Sequence, residues 1–74
     1  MQTYTVEKTI AEISATGSTR KRLALVSWNG RPAKLDLRTW YESDDGETPG
    51  RGITITNAEA ADLVAALADH LKRL

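Results

Sequence analysis

Polar and apolar positions follow two different rhythms along this chain, and the change of rhythm divides it into elements. In "KLDLRTWY" (34–41) apolar and polar residues alternate, the period of a half-buried β-strand. "RLALVSW" (22–28) is a short apolar run of strand length, and the "NG" that follows it at 29–30 is a strong signal for a two-residue hairpin. Pro32 then delays pairing, because it has no N–H to donate. "RGITIT" (51–56) is rich in β-branched residues and predicts a further short strand. "YTVEKTIAEIS" (4–14) carries both signals: Val6, Ile10 and Ile13 suit a helical spacing, whereas Thr3, Thr5 and Thr9 and the lack of caps favour a strand. It is read as the first strand. "ATGSTR" (15–20) is expected to turn, and the acidic "ESDDGETPG" (42–50) to loop out.

The last segment, "TNAEAADLVAALADHLKRL" (56–74), has helical spacing. Thr56 with Glu59 three residues on forms a capping box, and Ala60, Leu63, Val64, Leu67, Leu71 and Leu74 fall on one stripe. Asp62, Ala66, Asp69 and Arg73 face away, and Lys72 and Arg73 suit the negative end of the helix dipole. The expected fold class is therefore α+β: a four-stranded antiparallel β-meander followed by one C-terminal α-helix, with residues 1–74 as a single domain.

Size sharpens this picture, since 74 residues bury only a modest core. Four strands about 4.8 Å apart make a sheet roughly 19 Å wide, which one helix about 10 Å across cannot cover. The alanine-rich helix permits close approach of a second helix, so a homodimer is expected, with Leu63, Leu67 and Leu71 in the shared core.

Charge balances overall, ten Lys and Arg against ten Asp and Glu, but not locally. Residues 20 to 41 hold six bases (Arg20, Lys21, Arg22, Arg31, Lys34, Arg38) and one acid, Asp36, while Glu42, Asp44, Asp45 and Glu47 follow without a base. If Leu35, Leu37 and Thr39 face the helix, then Lys34, Asp36, Arg38 and Trp40 share the open face. Cations beside an exposed indole suit a single nucleic-acid strand, the cations holding phosphates and the ring stacking on an unpaired base. Packing of Trp40 under a loop or at a dimer rim accounts for the same residue equally well. Asp36 reads as the orienting partner of Arg38 or Lys34, and Trp28 as packing.

Other chemistry is sparse. The chain has no cysteine and a single histidine, His70, so no thiolate metal site or usual nucleophile arrangement can be assembled. "DDGE" lacks the ligand alternation of a calcium loop. The expectation is a protein that is not an enzyme and takes no cofactor or metal. No apolar run reaches membrane length and the N-terminus lacks the pattern of a secretion signal, so a cytoplasmic, nucleoid-associated location is expected.

Taken together, "VSWNG", then "KLDLRTWYESDDGETPGRGITIT", then an amphipathic helix resembles the positive cofactor four (p15) family of transcriptional coactivators, in a short bacterial-type form. The resemblance runs from about Tyr4 to Leu71, and its most specific piece is the apolar-Asp-apolar-Arg-x-aromatic strand with a Gly-Arg-Gly-Ile-Thr restart. It implies a homodimer that binds single-stranded DNA, largely without regard to sequence, on a concave sheet face, in the company of the transcription machinery. By position it implies roles in binding for Lys34, Arg38, Trp40, Tyr41 and Arg51, to which the basic second strand adds Arg20, Lys21 and Arg22. Two departures stand out: eukaryotic members carry a long serine-rich and lysine-rich N-terminal arm, and the hairpin here is shorter. RNA, or a partner protein on the same open face, remains an alternative ligand.

Overall fold

A computed structural model describes residues 3–74 and contains the strands β1 (Tyr4–Thr16), β2 (Thr19–Trp28), β3 (Lys34–Ser43) and β4 (Gly46–Ile55), followed by helix α1 (Asn57–Leu71). The strands form one antiparallel sheet in the order β1-β2-β3-β4, so each pairs with its neighbour in sequence, as the meander requires. The β2–β3 connection uses the predicted turn residues: Asn29 and Gly30 both have positive φ, 53° and 76°. Two bonds then tie the start of β1 to this turn, Asn29 N–H donating to Thr3 O (2.8 Å) and Thr3 N–H to Asn29 Oδ1 (2.9 Å).

The expected loop over 42–50 is corrected. β3 and β4 continue to a tight turn at Asp44 and Asp45, with Tyr41 opposite Thr48, Glu42 opposite Glu47 and Ser43 opposite Gly46. Gly46 takes the positive φ (110°) that a side chain would resist, and Ser43 Oγ donates to Gly46 O at 3.1 Å. Pro49 is tolerated because β4 is an edge strand, where a missing N–H leaves no neighbour unpaired.

β1 is a strand with three register shifts against β2, which leave Glu7, Ile10 and Ile13 as the extra residues. Each such bulge adds twist and bends the strand. Bulges three residues apart also explain the helix-like spacing of Ile10 and Ile13 in the sequence, since each resets the alternation. The bent strand brings Tyr4 across the sheet to the opposite edge, where its hydroxyl donates to Glu47 O in β4 (3.1 Å).

The two faces of the sheet differ. Leu23 pairs with Leu37 and Leu25 with Leu35, and across β3 these meet Ile53 and Ile55, giving one apolar face. Thr56 and Glu59 close the predicted capping box, and α1 lies on this side. Its Ala60, Leu63, Val64 and Leu67 line a mostly apolar groove of about 330 Å³ with Ile13, Lys21, Leu23, Leu35, Leu37 and Ile55. No helix residue is buried, and Leu67 and Leu71 are 51 % and 60 % exposed. The buried residues Ala24, Val26, Asp36 and Trp40 all lie on the helix-free face.

Candidate nucleic-acid interface

Directly opposed residues in a sheet share a face, so pairing sorts the sequence-predicted site. Arg20 faces Trp40, Arg22 faces Arg38, Ala24 faces Asp36 and Val26 faces Lys34, which places Arg20, Arg22, Lys34, Arg38 and Trp40 together on the helix-free face. Lys21 pairs with Thr39 and Thr19 with Tyr41, on the other face. Arg51 joins them: it lines a shallow depression with Lys21, Leu37, Thr39 and Ile53. The eight candidates are thus divided between two sides of the sheet.

On the helix-free face, the "KLDLRTW" strand builds a closed network. Asp36 is 1 % exposed, and a buried carboxylate is tolerated only when its oxygens are satisfied. They are: it accepts from Arg38 Nε (2.5 Å) and Nη2 (2.7 Å), from Thr54 Oγ1 (3.1 Å) and from Trp28 Nε1 (3.2 Å). Arg38 Nη1 donates to Gly50 O (3.0 Å), and its guanidinium lies 4.5 Å from the centre of the Trp28 ring. Asp36 is therefore the partner of Arg38, one of the two cations expected for it. The arginine is spent on holding β3 to β4, and its bidentate pair is the strong form of the interaction. Gly52, opposite Arg38, is required by this closeness, since a Cβ there would stand 1.9 Å from Arg38 Cβ.

The expectation of an exposed indole at Trp40 is corrected. Trp40 is 2 % exposed, because Tyr4 closes over it with ring centres 5.5 Å apart, and lies at the same 5.5 Å from Trp28. The alternation of β3 placed Trp40 on the right face, but its cover comes from a strand 36 residues earlier, bent there by bulges. A trough of about 360 Å³ remains, lined by Tyr4, Val6, Thr9, Arg22, Trp40 and Glu47.

Arg20 and Arg22 stand beside this trough, each among carboxylates. Arg20 lies 3.7 Å from Glu12 and 3.3 Å from Glu42, and also donates to the Gly17 and Thr19 carbonyls. Arg22 lies 3.5 Å from Glu12, 3.6 Å from Glu42, and donates to Glu47. Glu42 and Glu47, read in the sequence as part of a separate acidic loop, are in fact partners of the basic strand.

Across the sheet the arrangement is open. Tyr41 is 48 % exposed and rests on Gly50, where a Cβ would meet its Cε2 at 2.4 Å. Lys21 and Arg51 lie on the same side of the sheet, and neither pairs with a carboxylate among the described residues. An exposed phenol ring with cations on the same side of the sheet is a surface on which a base can stack while phosphates are neutralised. Lys34 is also exposed and, with Arg31, Pro32, Trp28 and Thr54, lines a separate depression at the far end of the sheet. Tyr41 was set apart from Trp40 by strand parity alone, and the same parity separates Lys21 from Arg20 and Arg22.

Among the described residues no group of acidic or histidine side chains is placed to hold a metal ion, and no helix is long and apolar enough to cross a membrane.

Comparison with known proteins agrees with this architecture. The profile of the family described as Transcriptional Coactivator p15 (PC4) matches residues 15–66, from the end of β1 into α1. An uncharacterized protein of Treponema pallidum (strain Nichols) is 38 % identical over 72 residues, covering 96 % of this chain and 78 % of its own length.

Proposed function

This chain belongs to the transcriptional coactivator p15 (PC4) family, and from that premise we propose that it is a homodimeric, largely sequence-tolerant single-stranded DNA-binding protein acting beside the transcription machinery. The observation that carries the reading is the exposed ring of Tyr41 on the same side of the sheet as Lys21 and Arg51, two cations without a carboxylate partner among the described residues, on a sheet of this family. Tyr41 stacks on a base, and Lys21 and Arg51, on the same side of the sheet, neutralise phosphates of that strand. Arg38 and Trp40 act as the frame that holds the strands in place rather than as first contacts. Duplex DNA binds more weakly, because its base faces are stacked away from any aromatic side chain.

Dimerisation rests on the uncovered stripe of α1. Leu63, Val64, Leu67 and Leu71 are each 39 % exposed or more, and the first three line a mostly apolar groove between helix and sheet. A second copy, bringing the same stripe, buries what a domain of this size cannot leave in water. The role places the protein in the cytoplasm beside the nucleoid, and it needs no cofactor or catalytic group.

Titration against a single-stranded oligothymidylate, the matching duplex and a single-stranded RNA of equal length, at three salt concentrations, tests the reading. The expected result is tightest binding to single-stranded DNA, with log affinity falling by about 0.7 per tenfold rise in salt for each phosphate neutralised. Equal affinity for duplex at every salt concentration, or tighter binding of RNA, overturns the assignment of the ligand. Light scattering at micromolar concentration checks the dimer, and a well-folded monomer there overturns it.

A further inference from the structure

On the helix-free face two guanidiniums, Arg20 and Arg22, face three carboxylates, Glu12, Glu42 and Glu47. The order of the layers matters more than the count. The arginine side chains are 22 % and 18 % exposed, whereas the glutamates are 41–46 % exposed, so the carboxylates form the outer layer. An approaching phosphate therefore meets negative charge first, although the positive charges beneath it are spaced along a strand beside the trough over Trp40. The carboxylates also come from three places, β1 and both arms of the β3–β4 hairpin, and converge on β2 from either side. Because the carboxylates stand largely in water, these pairs are screened by salt and open to competition from another anion.

We infer that Glu12, Glu42 and Glu47 are an intramolecular screen that occupies the phosphate-binding arginines Arg20 and Arg22 and confines nucleic acid to the opposite side of the sheet. The inference rests on the proposed nucleic-acid function and concerns how that function is limited. A ligand strand that reaches this face must displace the carboxylates, which stay tethered at high local concentration. The screen favours release of nucleic acid and discriminates against weakly held backbones. Its removal opens a second track for phosphate.

The test compares Glu42→Gln/Glu47→Gln with Asp44→Asn/Asp45→Asn in the full chain. The two double substitutions change net charge equally and lie in the same hairpin, but Asp44 and Asp45 sit at its turn and pair with no cation among the described residues. Thermal melts verify that both variants stay folded. With oligothymidylate as the probe, the glutamine variant is expected to bind about tenfold more tightly than the parent and to steepen the salt slope by about 1.4, two phosphates at about 0.7 each. The asparagine variant leaves the slope unchanged. Equal effects of the two variants overturn the inference, since general electrostatics then accounts for both. If the parent and both variants fail to bind oligothymidylate even at low salt, the proposed function fails. The screen is then decided by NMR of the Arg20 and Arg22 Nε–H groups on addition of tripolyphosphate: shifts in the glutamine variant alone support it, and no shift in either overturns it.

Discussion

The two faces of this sheet are made from the same four strands, yet one is complete within the chain and the other is not. On the helix-free face the strong groups other than the exposed Lys34 have found partners: Asp36 has four donors, Arg38 holds Asp36 and Gly50, Trp40 is covered by Tyr4, and the two β2 arginines are paired with glutamates. On the helix-bearing face, apolar side chains of α1 remain exposed and Lys21, Tyr41 and Arg51 have no charged or aromatic partner among the described residues. Buried polar groups must be satisfied at the moment of folding, or they cost the full desolvation penalty. Groups left at the surface can wait for a ligand or a second chain. The faces therefore separate what the molecule uses to fold from what it offers to others.

The sharpest way to break this comparison is to attack the complete face and look for a loss of binding instead of stability. Asp36→Ala leaves Arg38, Trp28 Nε1 and Thr54 Oγ1 without their acceptor and is expected to lower unfolding free energy by about 3–5 kcal/mol. A domain of this length has only about 4–11 kcal/mol to lose, so urea unfolding should start near zero denaturant. Trp40→Ala is expected to cost a similar amount, about 3–5 kcal/mol, through the cavity it leaves under Tyr4. A Trp40→Ala protein that melts like the parent but no longer binds oligothymidylate would reverse the assignment of the two faces.

The incomplete face is tested by Leu67→Glu. A charge in the middle of the α1 stripe costs a monomer little, because Leu67 is already half-exposed, but it cannot be buried unpaired between two helices. Sedimentation should show loss of the dimer, and thermal melts should lose their dependence on protein concentration. Unchanged mass at micromolar concentration would mean that the stripe is not where copies meet.

Much of this division was legible in the sequence, and the illegible parts have common causes. The helix was readable because its cap, stripe and end charges are local. The placement of Leu35, Leu37 and Thr39 opposite Asp36, Arg38 and Trp40 followed from the period of two. The burial of Trp40 was not readable, because it depends on three bulges that carry Tyr4 across the sheet. The first half of β4 was hidden behind "GETPG", whose glycines and proline read as loop although an edge strand accepts them. Pairing of Arg20 and Arg22 with Glu12, Glu42 and Glu47 was hidden too, since only the three-dimensional register joins segments that the sequence separates by charge.

Smaller effects sharpen the picture of the open face. Tyr41→Ala is expected to cost about 1–3 kcal/mol of affinity for single-stranded DNA and to leave the salt slope unchanged, because a stacking ring releases no counterion. Its effect on stability should be slight, as the ring rests on Gly50 and is half-exposed. Fluorescence titration of the variant with oligothymidylate, beside a thermal melt, separates the two quantities.

The smallest effects fall on single cations, and they distinguish the faces most finely because charge has its own signature. Each phosphate neutralised on a single strand contributes about 0.7 to the salt slope. Lys21→Ala and Arg51→Ala each remove a cation of the Tyr41 face that is unpaired among the described residues, so each should flatten the slope by about that amount. Arg20→Ala removes a cation that already stands 3.3 Å from Glu42 and 3.7 Å from Glu12. It should leave the slope where it was and slightly lower the melting temperature, since its bonds to the Gly17 and Thr19 carbonyls are lost as well. Binding isotherms for the three variants at three salt concentrations read these slopes directly. Should Arg20→Ala flatten the slope as much as Arg51→Ala does, phosphate reaches the helix-free face in the parent protein, and the carboxylates there do not hold it off.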